Sequence, residues 1–341
     1  MYSFRNDYSE GAHPRILELL NKYNLEANIG YGEDIHSDRA RKYIKKLIGK
    51  DNVDIHFIPG GTQTNMLVIS SFLRPHQCVI AADTGHINVH ETGAIEATGH
   101  KVVAMHCKDG KLTPEIIQRA LDRHTDEHMV QPKMVYISNS TELGTVYSKH
   151  ELSAINDKCK ENGLLLFLDG ARLGSALTCK TNDLDIKDIA NLVDVFYIGG
   201  TKNGALLGEA LVIIREDLKE DFRYLTKQRG AMAAKGFILG IQFEALFLDD
   251  LYFELARHAN EMAERLASII DEAGYKFYAE PCTNQVFAIF PDVLLEKMEK
   301  EFIYEFTDKV DENNTAVRFV TSWATKIEAV EALREFLNKN R

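Results

Sequence analysis

The 341 residues carry a formal net charge of -11 and 45% apolar content. That is more chain than one core of roughly 250–300 residues sustains, so a large domain and a smaller one are expected. A chain this acidic lacks the clustered Lys and Arg with which a nucleic-acid surface replaces counterions around phosphates, which leaves small-molecule chemistry as the expectation. No apolar run approaches the ~20 residues of a membrane span, and the N-terminal stretch has no apolar segment behind a basic start, so a cytoplasmic placement is expected. The five cysteines (Cys78, Cys107, Cys159, Cys179, Cys282) form no C-x-x-C pair. They suggest neither zinc nor a disulfide framework, and four of them, in or beside apolar runs, read as inert core thiols.

Seven short apolar runs follow in order: IHFIP (55–59), CVIAAD (78–83), KVVAMH (101–106), MVYIS (134–138), LLLFLD (164–169), VFYIG (195–199) and ALVII (210–214). Helical patterns lie between several of them. One has Thr113 as N-cap before Pro114, and another ends on Gly163. Strand and helix in alternation predict an α/β fold with a mostly parallel seven-stranded sheet and helices on both faces. A helical pattern from about Gly236 to Gly274, three further strand-like runs (YKFYA, QVFAIF, VRFVTSW) and a closing helix predict a smaller C-terminal α+β domain. The expected division is an arm over 1–15, a large domain over 16–248 and a small domain over 249–341.

Ligands in such sheets bind beyond the carboxyl ends of the strands. After the first run, PGGTQTN (59–65) opens a helix on small residues. This reads either as a phosphate site of backbone N–H groups or as a plain strand-to-helix turn. His86 and His90 are four apart beside Glu91, but H-x-x-x-H lacks the glutamate of a zinc hydrolase and a third ligand, so no metal is expected. An imidazole stacked on a planar ligand, or ordinary polar packing, fits better. Asp169 ends an apolar strand with Arg172 three residues on, as a local ion pair or as the partner of a bound cationic heterocycle. Lys202, among glycines beyond the next strand, loses solvation and becomes a usable nucleophile toward a carbonyl. Phosphate turn, stacking ring, buried Asp and nucleophilic Lys together point to pyridoxal 5'-phosphate. Lys202 would bond to its aldehyde, Asp169 would keep its pyridine nitrogen protonated, and His86 would cover one face.

The segments PGGTQTN, GHINVHETGA, STELGTVYS, LFLDGARLGSAL, GGTKNGALLGEA and VRFVTSWAT resemble, in this order, the motifs of the low-specificity L-threonine aldolases. These belong to the β-eliminating lyase group of fold-type I pyridoxal phosphate enzymes, and the resemblance runs nearly end to end. It implies a fold-type I, PLP-dependent transferase-like fold and retro-aldol cleavage of L-threonine, L-allo-threonine and related β-hydroxy amino acids to glycine and an aldehyde. It implies Lys202 as the covalent anchor, with glycines leaving room for the Schiff base, and Gly61 and Thr62 as phosphate holders. Asp169 would meet the ring nitrogen, Arg172 the substrate carboxylate and ring hydroxyl, and Arg318 the same carboxylate from the small domain. Tyr31 resembles an aromatic reaching the site from a neighbouring subunit, Asn6 stands where other members carry serine, and a homodimer or homotetramer with shared sites is implied. His86 is the expected base, with Glu142 in STELG as the other candidate. The segment 229–236 differs from the glycine-rich, arginine-bearing loop of one branch, so the resemblance assigns no phosphate contact to it. The competing readings are another bond broken on the same cofactor, as in an eliminating lyase, racemase or aminotransferase, and a non-catalytic protein in which Lys202 is an odd core lysine.

Overall fold

The computed structural model describes residues 1–340. Its central sheet has seven strands: β1 (Asp54–Ile58), β2 (Gln77–Ala82), β3 (Lys101–Met105), β4 (Gln131–Ser138), β5 (Leu165–Asp169), β6 (Val195–Gly199) and β7 (Glu209–Ile213), in the order β1-β7-β6-β5-β4-β2-β3. β2 to β6 run parallel, and β7 is antiparallel to both of its neighbours. β2, β5, β6 and β7 are buried along their whole length, as strands covered on both faces must be.

Because successive side chains point to opposite faces, each strand feeds two cores. Ile80, Val135, Ile137, Leu166, Leu168, Phe196 and Ile198 enter one, while Val79, Ala81, Met134, Tyr136, Leu165, Phe167, Val195 and Tyr197 enter the other. Asp169 continues the 165–167–169 alternation and lies on the face of Tyr136 and Tyr197. The helix Gly61–Phe72 covers that face with Leu67, Val68 and Ile69. Thr113 caps the helix Pro114–Asp122 as expected, and Ser148 with Glu151 forms a capping box on Lys149–Glu161.

The single helical pattern expected over 236–274 is two helices, Phe237–Leu248 and Leu251–Glu272. The chain breaks between them because Asp250 takes a left-handed conformation at φ 61°, and the Asp250 carboxylate takes an ion pair from Arg257. The second helix spans two cores, with Leu251 and Leu255 in the large one and Ala263, Leu266 and Ile270 in a third. That third core lies against an antiparallel sheet of β8 (Lys276–Phe277), β9 (Gln285–Pro291), β10 (Glu305–Lys309) and β11 (Asn314–Val320), ordered β10-β11-β9-β8. β10, which the sequence pattern does not announce, is a half-exposed edge strand without an apolar run. The N-terminal arm is tied to this unit: Tyr2–Ser3 pairs with Phe302–Ile303, and Phe4 is buried in the third core. No helix of the described residues is long and apolar enough to cross a membrane.

Candidate active site

A cavity of about 570 Å³ opens where the carboxyl ends of β4, β5 and β6 meet the small domain and the arm. Among its lining residues are Gly61, Thr62, His86, Glu142, Asp169, Arg172, Lys202 and Arg318, so eight residues singled out in the sequence converge on one space.

The helix Gly61–Phe72 begins at its rim, and no side chain caps that helix. Thr64 N–H already bonds back to Gly60 O, leaving the first-turn donors at Gly61 and Thr62 turned outward. A positive helix end without a cap is a ready anion site.

Asp169 is held from four sides. Tyr197 Oη (2.5 Å) and the Ala171 N–H (2.9 Å) donate to Oδ1, while Tyr136 Oη (2.6 Å) and Asn65 Nδ2 (3.2 Å) donate to Oδ2. Burial alone would raise its pKa, but the nearby His86 and these donors outweigh it, and Asp169 lies below the ordinary carboxylate value. Proton donors thus stand beside this carboxylate at the end of an apolar strand. Of the two readings of Asp169, the local ion pair with Arg172 is not formed among the described residues.

Arg172 instead grips Asp7 of the arm, with Nε at 2.7 Å from Oδ2 and Nη2 at 3.0 Å from Oδ1. Asn284 Nδ2 donates to the same Asp7 Oδ2 at 2.9 Å. Arg318 sits on β11 opposite Phe287 and Glu305, and its buried Nε has no partner among the described residues. Two guanidiniums, one with an open donor, therefore face the cavity.

The His86 ring is about one-third exposed to the cavity, with Nδ1 fixed at 2.9 Å from Glu91 Oε1. Glu91 is buried, takes a second bond from Asn65 Nδ2, and leaves Oε2 with no partner among the described residues. The His86 backbone N–H donates to Glu142 Oε1 at 3.0 Å, which also takes Ser138 Oγ at 2.7 Å. Burial raises the Glu142 pKa, opposed by the Ser138 hydroxyl.

Lys202 lines the cavity with its Nζ 5.9 Å from the Tyr8 ring centre. Burial and the Arg172 charge lower its pKa, against the pull of Asp7, Asp169 and Glu209. The glycines around it also shape the backbone. Gly200 and Thr201 donate to Gly208 O at 3.0 and 3.1 Å, and a Cβ on Gly200 would lie 2.7 Å from that oxygen. Gly208 has φ +117°. They let the backbone close a tight turn that aims Lys202.

Two expected residues are not brought to this cavity. Asn6 Oδ1 accepts from Tyr8 N and Ser9 Oγ in a local turn, while Tyr8 lines the cavity and Asp7 pairs with Arg172 behind it. Tyr31 stands outside with Arg223, Tyr224 and Lys227, its ring 4.3 Å under Lys227 Nζ. In the segment 229–236, Met232 and Ala233 line a separate small cleft beside Tyr31.

The sequence reading missed Asp7, Tyr136, Tyr197 and Glu209. Glu209 begins β7, takes the Gly200 N–H at 3.0 Å and Thr201 Oγ1 at 2.8 Å, and is pushed up to about 8 by burial. An acidic residue opening a buried strand directly after Leu206-Leu207-Gly208 was its available signal.

The profile of the beta-eliminating lyase family matches residues 15–292. Low specificity L-threonine aldolases of Pseudomonas aeruginosa and of a Pseudomonas strain are 34% and 33% identical, each over 97% of this chain and 95% of theirs. The solved threonine aldolase of Leishmania major superposes with a TM-score of 0.99 at 48% identity, covering 100% of this chain and 99% of that one. The chain therefore belongs to the beta-eliminating lyase family, among its threonine aldolases.

Proposed function

We propose that this cavity cleaves L-threonine and related β-hydroxy amino acids between Cα and Cβ to glycine and an aldehyde, with pyridoxal 5'-phosphate as cofactor. The convergence of Lys202, the ionised Asp169, two cavity-facing arginines and an uncapped helix N-terminus on one space carries this reading. The donor set fits the cofactor on its own terms. The open first turn at Gly61 and Thr62 suits a phosphate, and a carboxylate kept ionised by the nearby His86 and the Tyr136, Tyr197 and Ala171 donors suits a protonated pyridine nitrogen. The partnerless Arg318 Nε suits a carboxylate.

Bound pyridoxal phosphate supplies an aldehyde for the substrate amine and a ring that accepts the electron pair of the broken Cα–Cβ bond. Lys202, whose pKa burial and the Arg172 charge lower, would hold the cofactor through its Nζ. Arg172 and Arg318, both lining the cavity, would bind and orient the substrate carboxylate. Glu91 holds His86 Nδ1, which leaves Nε2 as the atom to take the β-hydroxyl proton. Glu142, bonded to the His86 backbone and Ser138, stiffens the approach and is the second acid–base group in reach. Tyr31, exposed and away from its own cavity, supports a dimer or tetramer in which it serves a neighbouring subunit's site.

Borohydride reduction of the pyridoxal phosphate-loaded protein, followed by peptide mapping, tests the anchor. A pyridoxyl mark on the Lys202 peptide supports the reading, and a mark on another lysine sinks it.

A further inference from the structure

Cys179 and Cys282, 103 residues apart, lie with their sulfurs 3.7 Å from each other, in van der Waals contact. Cys179 ends the short helix Leu173–Thr178 that follows Arg172. Cys282 belongs to the loop before β9, whose next residues Thr283, Asn284 and Gln285 bond to Gly144 O, Asp7 and Thr141 O. Thr181 Oγ1 lies 2.8 Å from Cys282 Sγ and 3.6 Å from Cys179 Sγ, so three soft or polar groups form one cluster. Cys179 is buried, like Cys78, Cys107 and Cys159, but it packs against the half-buried Cys282 and the exposed Thr181, through which the cluster reaches the surface. The sequence pattern gave no reason to pair these two cysteines, and the fold does so.

We propose that Cys179 and Cys282 form a redox site: a dithiol that hydrogen peroxide or a small-molecule disulfide oxidises to an intramolecular disulfide, joining the segment behind Arg172 to the loop that holds Asp7. The two sulfurs have the asymmetry this chemistry uses. Hydrogen bonds from Cys282, then Thr181 and the Thr181 and Asn182 backbone, outweigh burial and lower the Cys179 thiol to about 6. The Cys282 thiol is raised, by its bond to Cys179 and by burial. Burial pushes Cys78, Cys107 and Cys159 up to about 12. A thiolate beside a protonated resolving thiol is the arrangement of an oxidation-sensitive pair.

With peroxide, the Cys179 thiolate attacks one oxygen. The S–O bond forms, the O–O bond breaks, and the leaving hydroxide takes a proton as water. Cys282 Sγ then attacks the sulfenic sulfur, the S–S bond forms as S–O breaks, and the departing hydroxide leaves as a second water with the Cys282 proton. Two thiols are oxidised by two electrons and one peroxide is reduced to two waters. With a small disulfide, Cys179 forms the mixed disulfide and Cys282 displaces the second thiol.

The test uses the full chain loaded with pyridoxal phosphate, treated with hydrogen peroxide, alkylated with iodoacetamide and mapped by mass spectrometry. The expected result is a Cys179–Cys282 linked peptide pair that a dithiol reductant removes, with Cys78, Cys107 and Cys159 still reduced. Cys282→Ser, treated in the same way with dimedone present, should carry a sulfenic adduct on Cys179. The proposal is overturned if Cys179 and Cys282 remain thiols after peroxide treatment, or if Cys282→Ser takes no adduct at Cys179.

Discussion

Replacing Asp7 by Asn removes one negative charge and little else. The Asp7 side chain is 1% exposed and that of Arg172 12%, and the carboxylate takes two bonds from the guanidinium and a third from Asn284. Removing one partner of a buried pair leaves the other charge uncompensated, at about 3–5 kcal/mol, and the amide's remaining acceptor favours the lower end. With an unfolding entropy near 2.1 cal/mol/K per residue, a chain of 341 residues loses about 1.4 °C of Tm per kcal/mol, so a fall of about 4 °C is expected at pH 7. The surface pair Lys180–Glu264, with side chains 80% and 38% exposed, provides the control: Glu264→Gln should cost about 0–1 kcal/mol and move Tm by at most about 1.5 °C. The sign of the pH dependence follows as well. The Asp7 pKa is lowered: burial alone would raise it, but the Arg172 and Lys202 charges and the Arg172 and Asn284 hydrogen bonds outweigh it. Its contribution is therefore full above the ordinary carboxylate value and is lost as pH falls through the depressed one. Thermal unfolding of both variants at pH 7 and through the acid range is the assay. An Asp7→Asn Tm indistinguishable from that of the surface control would refute the claim that the arm is held to the site by this charge pair.

Three other outcomes are expected. His86→Asn should lower kcat for threonine cleavage by about 10²–10⁴ while the cofactor stays bound, measured by steady-state kinetics with an absorbance check; near-normal turnover would remove His86 as base. Glu91→Gln should shift the pH profile of kcat with a smaller loss, since it orients His86 Nδ1 rather than touching substrate; an unchanged profile would make the contact a packing feature. Glu209 stays protonated up to about 8 while its unfolded counterpart ionises near 4.5, so stability should fall as pH rises between those values and then level off. Glu209→Gln keeps one acceptor and one donor, so it should flatten that slope in Tm measured at pH 5, 7 and 8.5. Superimposable profiles would contradict a neutral Glu209.

What the sequence revealed and what it hid follow from one distinction. Lys202, Asp169 and the turn at Gly61 and Thr62 were legible because each directly follows or ends an apolar strand run, and the parallel sheet assigns such positions to the ligand edge. Tyr136 and Tyr197 were not, because a tyrosine inside an apolar strand looks like core until period-2 alternation and strand register bring its hydroxyl to Asp169. Asp7 meets Arg172 across 165 residues, and only the pairing of the arm with Phe302–Ile303 brings it there. The Cys179–Cys282 contact has the same origin, a long-range approach that local pattern cannot carry. The break at Asp249–Asp250 was hidden because apolar periodicity continues on both sides of one left-handed residue.

The central claim is that Lys202 anchors the chemistry of threonine cleavage in this cavity. The direct measurement gives purified wild type and Lys202→Ala pyridoxal phosphate and L-threonine, then quantifies acetaldehyde, glycine, ammonia and 2-ketobutyrate, with circular dichroism to match the folds. Equal acetaldehyde and glycine from the wild type, with neither product nor the near-visible absorbance of a bound cofactor in the variant, is the predicted result. Ammonia with 2-ketobutyrate from the wild type, or cleavage retained by Lys202→Ala, would contradict it.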